Sequence, residues 1–243
     1  MSQQIHSIDE SSAKKAITVS SHINPLLIRL VYPLGCYLVI PLYFGRIKIT
    51  GQENIPTTGP VIVAPTHRSR WDALLIPYAV GRFVSRRDLR FMVMVEEMQG
   101  LQGWLIRQLG GFPVNTERPG AKSVLHTVKL LSEGEMVVIF PEGGIFRSTE
   151  VQRLKPGVAR MAIDVETHQP GSGIKILPVN LNYSHLYPRW GTDVEIKIGQ
   201  PIDVAQYQGT NLKENTRQLT AVLKNALKKL QEEKQAAKEV VLV

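Results

Sequence analysis

At 243 residues, with 43% hydrophobic and 21% charged side chains, the chain has the composition of a single globular domain, which excludes wholesale disorder. Its single cysteine, Cys36, excludes an internal disulfide and fits a reducing compartment. The 29 basic residues outnumber the 21 acidic ones to give +8, which favours an anionic partner; yet only 7% of residues are aromatic and no nucleic-acid-binding pattern occurs, so no nucleic acid is expected.

In chain order, residues 1–23 are polar, lack hydrophobic periodicity and read as a poorly ordered lead. Residues 24–45 read as an apolar membrane-associating segment. From Leu30 to Phe44 no residue is charged, but the run is shorter than a bilayer span and carries Pro33, Gly35 and Pro41, which break or kink helices. Arg29, Arg46 and Lys48 flank it, and Tyr32, Tyr37 and Tyr43 suit an interface, so attachment to a membrane face is expected ahead of the alternative, a buried helix of the core.

Residues 46–243 alternate β-rich runs with helical stretches, which predicts a single α/β domain: a mixed, mostly parallel sheet covered by helices. RIKITG, PVIVAPTH, LRFMVMVE, MVVIF, IKILPVNLNY and VEIKIGQPI read as strands. WDALLIPYAV reads as a helix kinked or ended by Pro77, and GWLIRQL and VARMAIDV as further helices. VLHTVKLLSEGE places Leu125, Val128 and Leu131 on one helical face and stops at Gly134. The C-terminal stretch puts Leu219, Val222, Leu223, Ala226, Leu227 and Leu230 at helical spacing, an amphipathic helix.

His67 falls where a buried strand ends and a helix begins, a position that open α/β sheets use for ligands. Asp72 follows five residues later, so its carboxylate can return to one imidazole nitrogen and leave the other to take a proton from a hydroxyl. An alternative role for Asp72 is a helix cap. No G-x-S-x-G occurs and Cys36 lies in the apolar run, so the hydroxyl activated would belong to a substrate. FPEGG places Glu142 at a second strand end, with Gly143 and Gly144 opening backbone amides to an anion. In LKPGVARMA, Lys155 and Arg160 read as a helix start in preference to a phosphate site. His6, His22, His126 and His168 are expected to be solvated, His185 could line a pocket beside Tyr183 and Tyr187, and no metal-binding spacing is present.

HRSRWD, GGFPVNTER, FPEGGIFRS and ILPV occur in the order and at separations similar to those of the glycerolipid acyltransferases, and the chain resembles that family over about residues 45–200. The resemblance implies transfer of a fatty acyl group from an acyl thioester, acyl-CoA or acyl-carrier protein, to the free hydroxyl of a lysophospholipid. The family default is 1-acylglycerol-3-phosphate, which gives phosphatidic acid, at the cytoplasmic face of a membrane and without cofactor or metal. Another lysophospholipid or glycerolipid acceptor, or a non-catalytic lipid-binding relative, is the alternative. By the same resemblance His67 is the general base, Asp72 its orienter, Glu142 and Gly143 binders of the glycerol-phosphate, Arg118 and Arg147 holders of the phosphate, and Pro178 part of the acyl-donor side. This chain departs from the pattern at Thr66, where Asn is frequent, and at Thr116, where arginine is usual. Gly144, Ile145 and Phe146 also intervene before Arg147, so both arginines are displaced by about two residues.

Overall fold

The computed structural model describes residues 19–115 and 120–239, as backbone alone beyond 232. Among them eight strands form one sheet in the order β1-β7-β6-β2-β5-β3-β4, with β8 paired to β6. The strands are β1 (Ile47–Thr50), β2 (Val61–Pro65), β3 (Leu89–Met94), β4 (Gly111–Val114), β5 (Met136–Val138), β6 (Lys175–Tyr183), β7 (Val194–Ile198) and β8 (Ile202–Asp203). All neighbours run parallel except β6 with β7 and β6 with β8, so the sheet is mixed and mostly parallel as the alternating pattern predicts. VEIKIGQPI thus divides into two strands, both antiparallel to β6.

β2 is central and buried at every position, which explains its unbroken apolar run: both faces of a parallel sheet are covered. Alternate residues serve opposite cores. Ile62 packs with α6 (Ala121–Ser132), α7 (Gly157–His168) and α8 (Leu212–Glu239). Val61 and Val63 pack with α3 (Asp72–Val80) and the end of the N-terminal helix. The other described helices are α4 (Arg82–Ser85) and α5 (Gly100–Gln108).

The N-terminal segment differs from the short, broken run expected. Asn24 caps it by accepting hydrogen bonds from Leu26 N and Leu27 N, and Pro25 takes the first helical position, where a missing N–H costs nothing. From there α1 (Pro25–Pro33), a π-helical stretch Leu34–Val39 and α2 (Ile40–Tyr43) run on as one helix of 19 residues. The wider turn, with Ile40 N donating to Gly35 O, absorbs the prolines that would otherwise stop it. At mean hydropathy 1.7 the helix is long and apolar enough to cross a membrane by length and composition. Ile28, Cys36 and Ile40 are buried, while Leu26, Leu30, Leu34, Tyr37, Leu38 and Leu42 are exposed.

Three smaller expectations are corrected. Pro77 neither ends nor interrupts α3, which continues to Val80. α6 buries Ser123, Thr127, Leu130 and Leu131, which rotates Leu125 outward to 66% exposure, while Gly134 ends the helix with a positive φ as expected. His126 is not solvated: its ring packs edge-on against Phe112 at 4.9 Å, and desolvation, with Lys129 and Arg90 nearby, lowers its pKa. Of the lead, residues 1–18 lie outside the described residues, whereas Ile23 bridges to Leu109.

α8 closes the second core with Leu219, Leu223 and Leu227, all essentially inaccessible. Leu223→Ala should cost about 2–5 kcal/mol, the usual loss for truncating a buried leucine, and would be read as a lowered thermal midpoint by circular dichroism.

Candidate active site

The site forms where β2 ends. Thr66 N still donates to Val179 O, but Leu181 N donates to the Thr66 side-chain Oγ1 at 2.9 Å in place of a main-chain acceptor. The hydroxyl thus continues the β2–β6 ladder while the backbone turns away, and His67 leaves the sheet edge toward the cavity. A hydroxyl suffices there, which accounts for threonine at this position.

Asp72 opens α3 with its carboxylate wholly buried, and the carboxylate reaches back over the preceding turn. Its Oδ2 accepts from His67 Nδ1 at 2.9 Å, Arg68 N at 2.6 Å and Ser69 N at 2.9 Å. Its Oδ1 accepts from Tyr183 Oη. A carboxylate only accepts, so Nδ1 carries the proton and Nε2 is left as the basic nitrogen. The imidazole stacks on Phe140 at 3.9 Å between centroids. That fixes the ring plane and ties it to the third sequence block.

Tyr183, at the end of β6, lies 111 residues from its partner Asp72, and sequence reasoning missed it except as a neighbour of His185. Burial first, and the Asp72 carboxylate next, push its phenol far above its ordinary pKa, so it stays a hydrogen-bond donor. No local signal pairs the two residues; only the parallel β2–β6 register does.

Glu142 is buried and does not border the cavity. Its oxygens accept from His67 N at 2.8 Å, Gln152 N at 2.9 Å, and both terminal nitrogens of Arg68 at 2.7 and 3.1 Å. Its oxygens are engaged by these donors, and it holds the His67 loop from behind. Arg68, unassigned from sequence, is the other half of that clamp. Gly143 does border the cavity, in a left-handed turn at φ 73° that only glycine adopts easily, and the Lys155 side chain lies where a Cβ would be.

Arg147 does not line this cavity. Phe146 N donates to His67 O at 2.8 Å, and this contact sends the next residue away from the cavity. Arg147 lies over the Tyr187 ring at 5.0 Å and borders a second, small pocket with His185, while Ile145 lines the main cavity. Arg118 and Thr116 lie outside the described residues. Pro178 is buried in β6, its ring against Gly199, and is not among the residues lining the cavity. Among the described residues, no group of three or more His, Cys, Asp or Glu side chains is placed to hold a metal ion.

The cavity beside His67 has a volume of about 410 Å³ and mostly apolar walls. Val31 and Gly35 of the N-terminal helix, Leu74 of α3, Phe91 of β3 and Ile106 of α5 line it. His67, Arg70, Glu97 and Gln102 are among its polar members, with Tyr32 and Cys36. A basic nitrogen at one wall of an apolar chamber can activate a hydroxyl against a carbonyl carried on a long apolar chain.

A family model described as Acyltransferase matches residues 46–182, and the chain belongs to this family and is an enzyme of acyl transfer. It is 26% identical to the 1-acyl-sn-glycerol-3-phosphate acyltransferase of Bacillus subtilis, over 77% of this chain and 89% of that one. Its identity to the enzyme of that name from Borreliella burgdorferi is 28%, over 71% and 70%. The fold is similar to the crystal structure of the 1-acyl-sn-glycerophosphate (LPA) acyltransferase PlsC from Thermotoga maritima, with a TM-score of 0.59, 22% identity, and coverage of 84% of this chain and 80% of that one.

Tyr183→Phe removes the hydrogen bond that Tyr183 Oη gives Asp72 Oδ1, with little change in ring volume. An unsatisfied buried acceptor costs about 1–3 kcal/mol, so kcat should fall roughly tenfold in steady-state assays while KM changes little.

Proposed function

We propose that the chain acylates the free hydroxyl of 1-acylglycerol-3-phosphate from an acyl thioester, acyl-CoA or acyl-carrier protein, to form phosphatidic acid. The observation that carries this reading is the His67–Asp72 contact at 2.9 Å beside an apolar cavity of chain-binding character. The names of the relatives support the choice of acceptor.

In this mechanism His67 Nε2 takes the proton as the acceptor oxygen attacks the thioester carbonyl. Asp72 balances the imidazolium that forms, and Tyr183 and the two amides keep the carboxylate in place. The tetrahedral intermediate collapses with loss of the thiolate, which recovers the proton from His67. The thioester is already activated, so the steps need no covalent enzyme intermediate.

The N-terminal helix supports action at a membrane. Its inner side packs on the domain through Ile28, Cys36 and Ile40, which favours a helix lying in one leaflet over one crossing both. Phe83 of α4 extends the exposed apolar face, with its ring 5.8 Å from Tyr32 and 5.5 Å from Tyr37. Val31 and Gly35 give the same helix a share in the cavity wall, so an acyl chain can pass from the bilayer to His67. We place the attachment on the cytoplasmic face, where both thioester donors are made and where a cell keeps thiols such as Cys36 reduced.

Purified full-length protein in phospholipid vesicles, given a matrix of lyso-acceptors and acyl donors, should yield phosphatidic acid by mass spectrometry. His67→Ala should lower the rate about 10²–10⁴-fold with the fold retained, the usual contribution of a general base, and undiminished turnover would refute the mechanism. Gly35 lines the cavity, and nothing lies within 4 Å of the place its Cβ would take. Gly35→Leu should therefore shift donor preference toward shorter chains in a competition assay.

A further inference from the structure

The geometry points to Arg70 as the residue that binds the phosphomonoester of the acceptor, held until then by Glu97 as an intramolecular stand-in for that anion. This rests on the acyl-transfer reading above for its choice of ligand. Of the two arginines expected to hold a phosphate, Arg147 is turned onto Tyr187, and Arg118 lies outside the described residues. Arg68 is close but locked in its buried pair with Glu142. Among the described residues, Arg70 is the one lysine or arginine that lines the cavity containing His67.

Arg70 sits three residues after His67, on the loop that leads into α3, and Ala73 N donates to its carbonyl at 3.4 Å. Its guanidinium pairs with Glu97, in the single turn after β3. Glu97 also accepts from Gln102 Nε2 at 2.8 Å, and all three side chains line the cavity. The Arg70 side chain is 69% exposed and that of Glu97 34% exposed. An ion pair so accessible to water contributes little to stability, whereas a phosphomonoester carries close to two charges and matches the guanidinium fork. The dianion therefore displaces Glu97, and Gln102 offers the displaced carboxylate a partner. An acceptor without phosphate has nothing to exchange with Glu97, so the pair favours phosphate-bearing substrates. A thioester donor carries phosphates too, so donor KM is the control that separates the two substrates.

The test uses the full-length protein in detergent, with 1-acylglycerol-3-phosphate and 1-acylglycerol as acceptors and acyl-CoA as donor. Arg70→Gln should raise KM for the phosphate-bearing acceptor at least tenfold and lower its advantage over 1-acylglycerol by a similar factor. KM for acyl-CoA should stay within twofold, and the melting temperature should hold because the side chain is exposed. Glu97→Gln should lower KM for 1-acylglycerol-3-phosphate severalfold by removing the competing anion. In the His67→Ala background without donor, direct binding of 1-acylglycerol-3-phosphate should weaken at least tenfold on adding Arg70→Gln. That arm reads the anion site even if the proposed reaction fails, so the two readings fail separately. Acceptor affinity within twofold of the parent, or a rise in donor KM in its place, overturns the assignment.

Discussion

The buried pair between Arg68 and Glu142 joins the two chemically loaded segments of this chain, 74 residues apart, and the site depends on it. Neither side chain is accessible beyond a few per cent, so each charge was withdrawn from water and must be answered inside the fold. The answer is complete on the carboxylate: two guanidinium nitrogens, His67 N and Gln152 N share its two oxygens. Removing one member of such a pair typically costs about 3–5 kcal/mol, because the other charge stays buried and unmatched. The pair therefore sets where His67 leaves the sheet, since the carboxylate holds the His67 backbone itself. The placement of His67 follows from an ion pair that is buried away from the cavity.

A second set of contacts fixes the other side of the imidazole. Asp72 draws on three donors besides His67, two from the adjacent turn and one from the far end of β6. Around them an aromatic seam links the site to the N-terminal helix. Tyr43 stacks on Trp71 at 4.2 Å, Phe44 meets Trp71 edge-on at 5.3 Å, and Phe44 lies 6.2 Å from Tyr183. Trp71 immediately precedes Asp72. The helix end is thus packed against the residue that precedes Asp72, which joins the apolar N-terminal helix to the His67–Asp72 contact.

The two arginine–glutamate pairs near His67 differ in kind. The Arg68–Glu142 pair is dry and saturated, and it organises the backbone. The Arg70–Glu97 pair is wet and exchangeable, and it suits a site where an anion comes and goes. Both arginines lie in the same six-residue block, so identical chemistry two positions apart divides into scaffold and contact only through burial.

Much of the architecture was legible in the residues alone. Alternating β-rich and helical runs specify a helix-covered, mostly parallel sheet because the local periods of two and 3.6 persist whatever the tertiary context. The His67–Asp72 contact was legible for a similar reason: five residues and one turn leave the carboxylate few places to go. Single-sequence reading missed what depends on partners distant in the chain. The continuity of the N-terminal helix through two prolines required a π turn, and the exposure of Leu125 followed from how α6 rolled onto its neighbours. Tyr183 became a ligand of Asp72 only when β6 lay beside β2. Nor did any local pattern foretell that Glu142 clamps the His67 backbone or that Arg147 turns onto Tyr187. The deciding interactions were Arg68 filling the first and Phe146 bonding to His67 O before the second could turn inward. Sequence determined which chemical groups stand near each bend of the chain. The tertiary structure decided which of them face the cavity, because burial and competition for hydrogen-bond partners are settled only when distant segments meet.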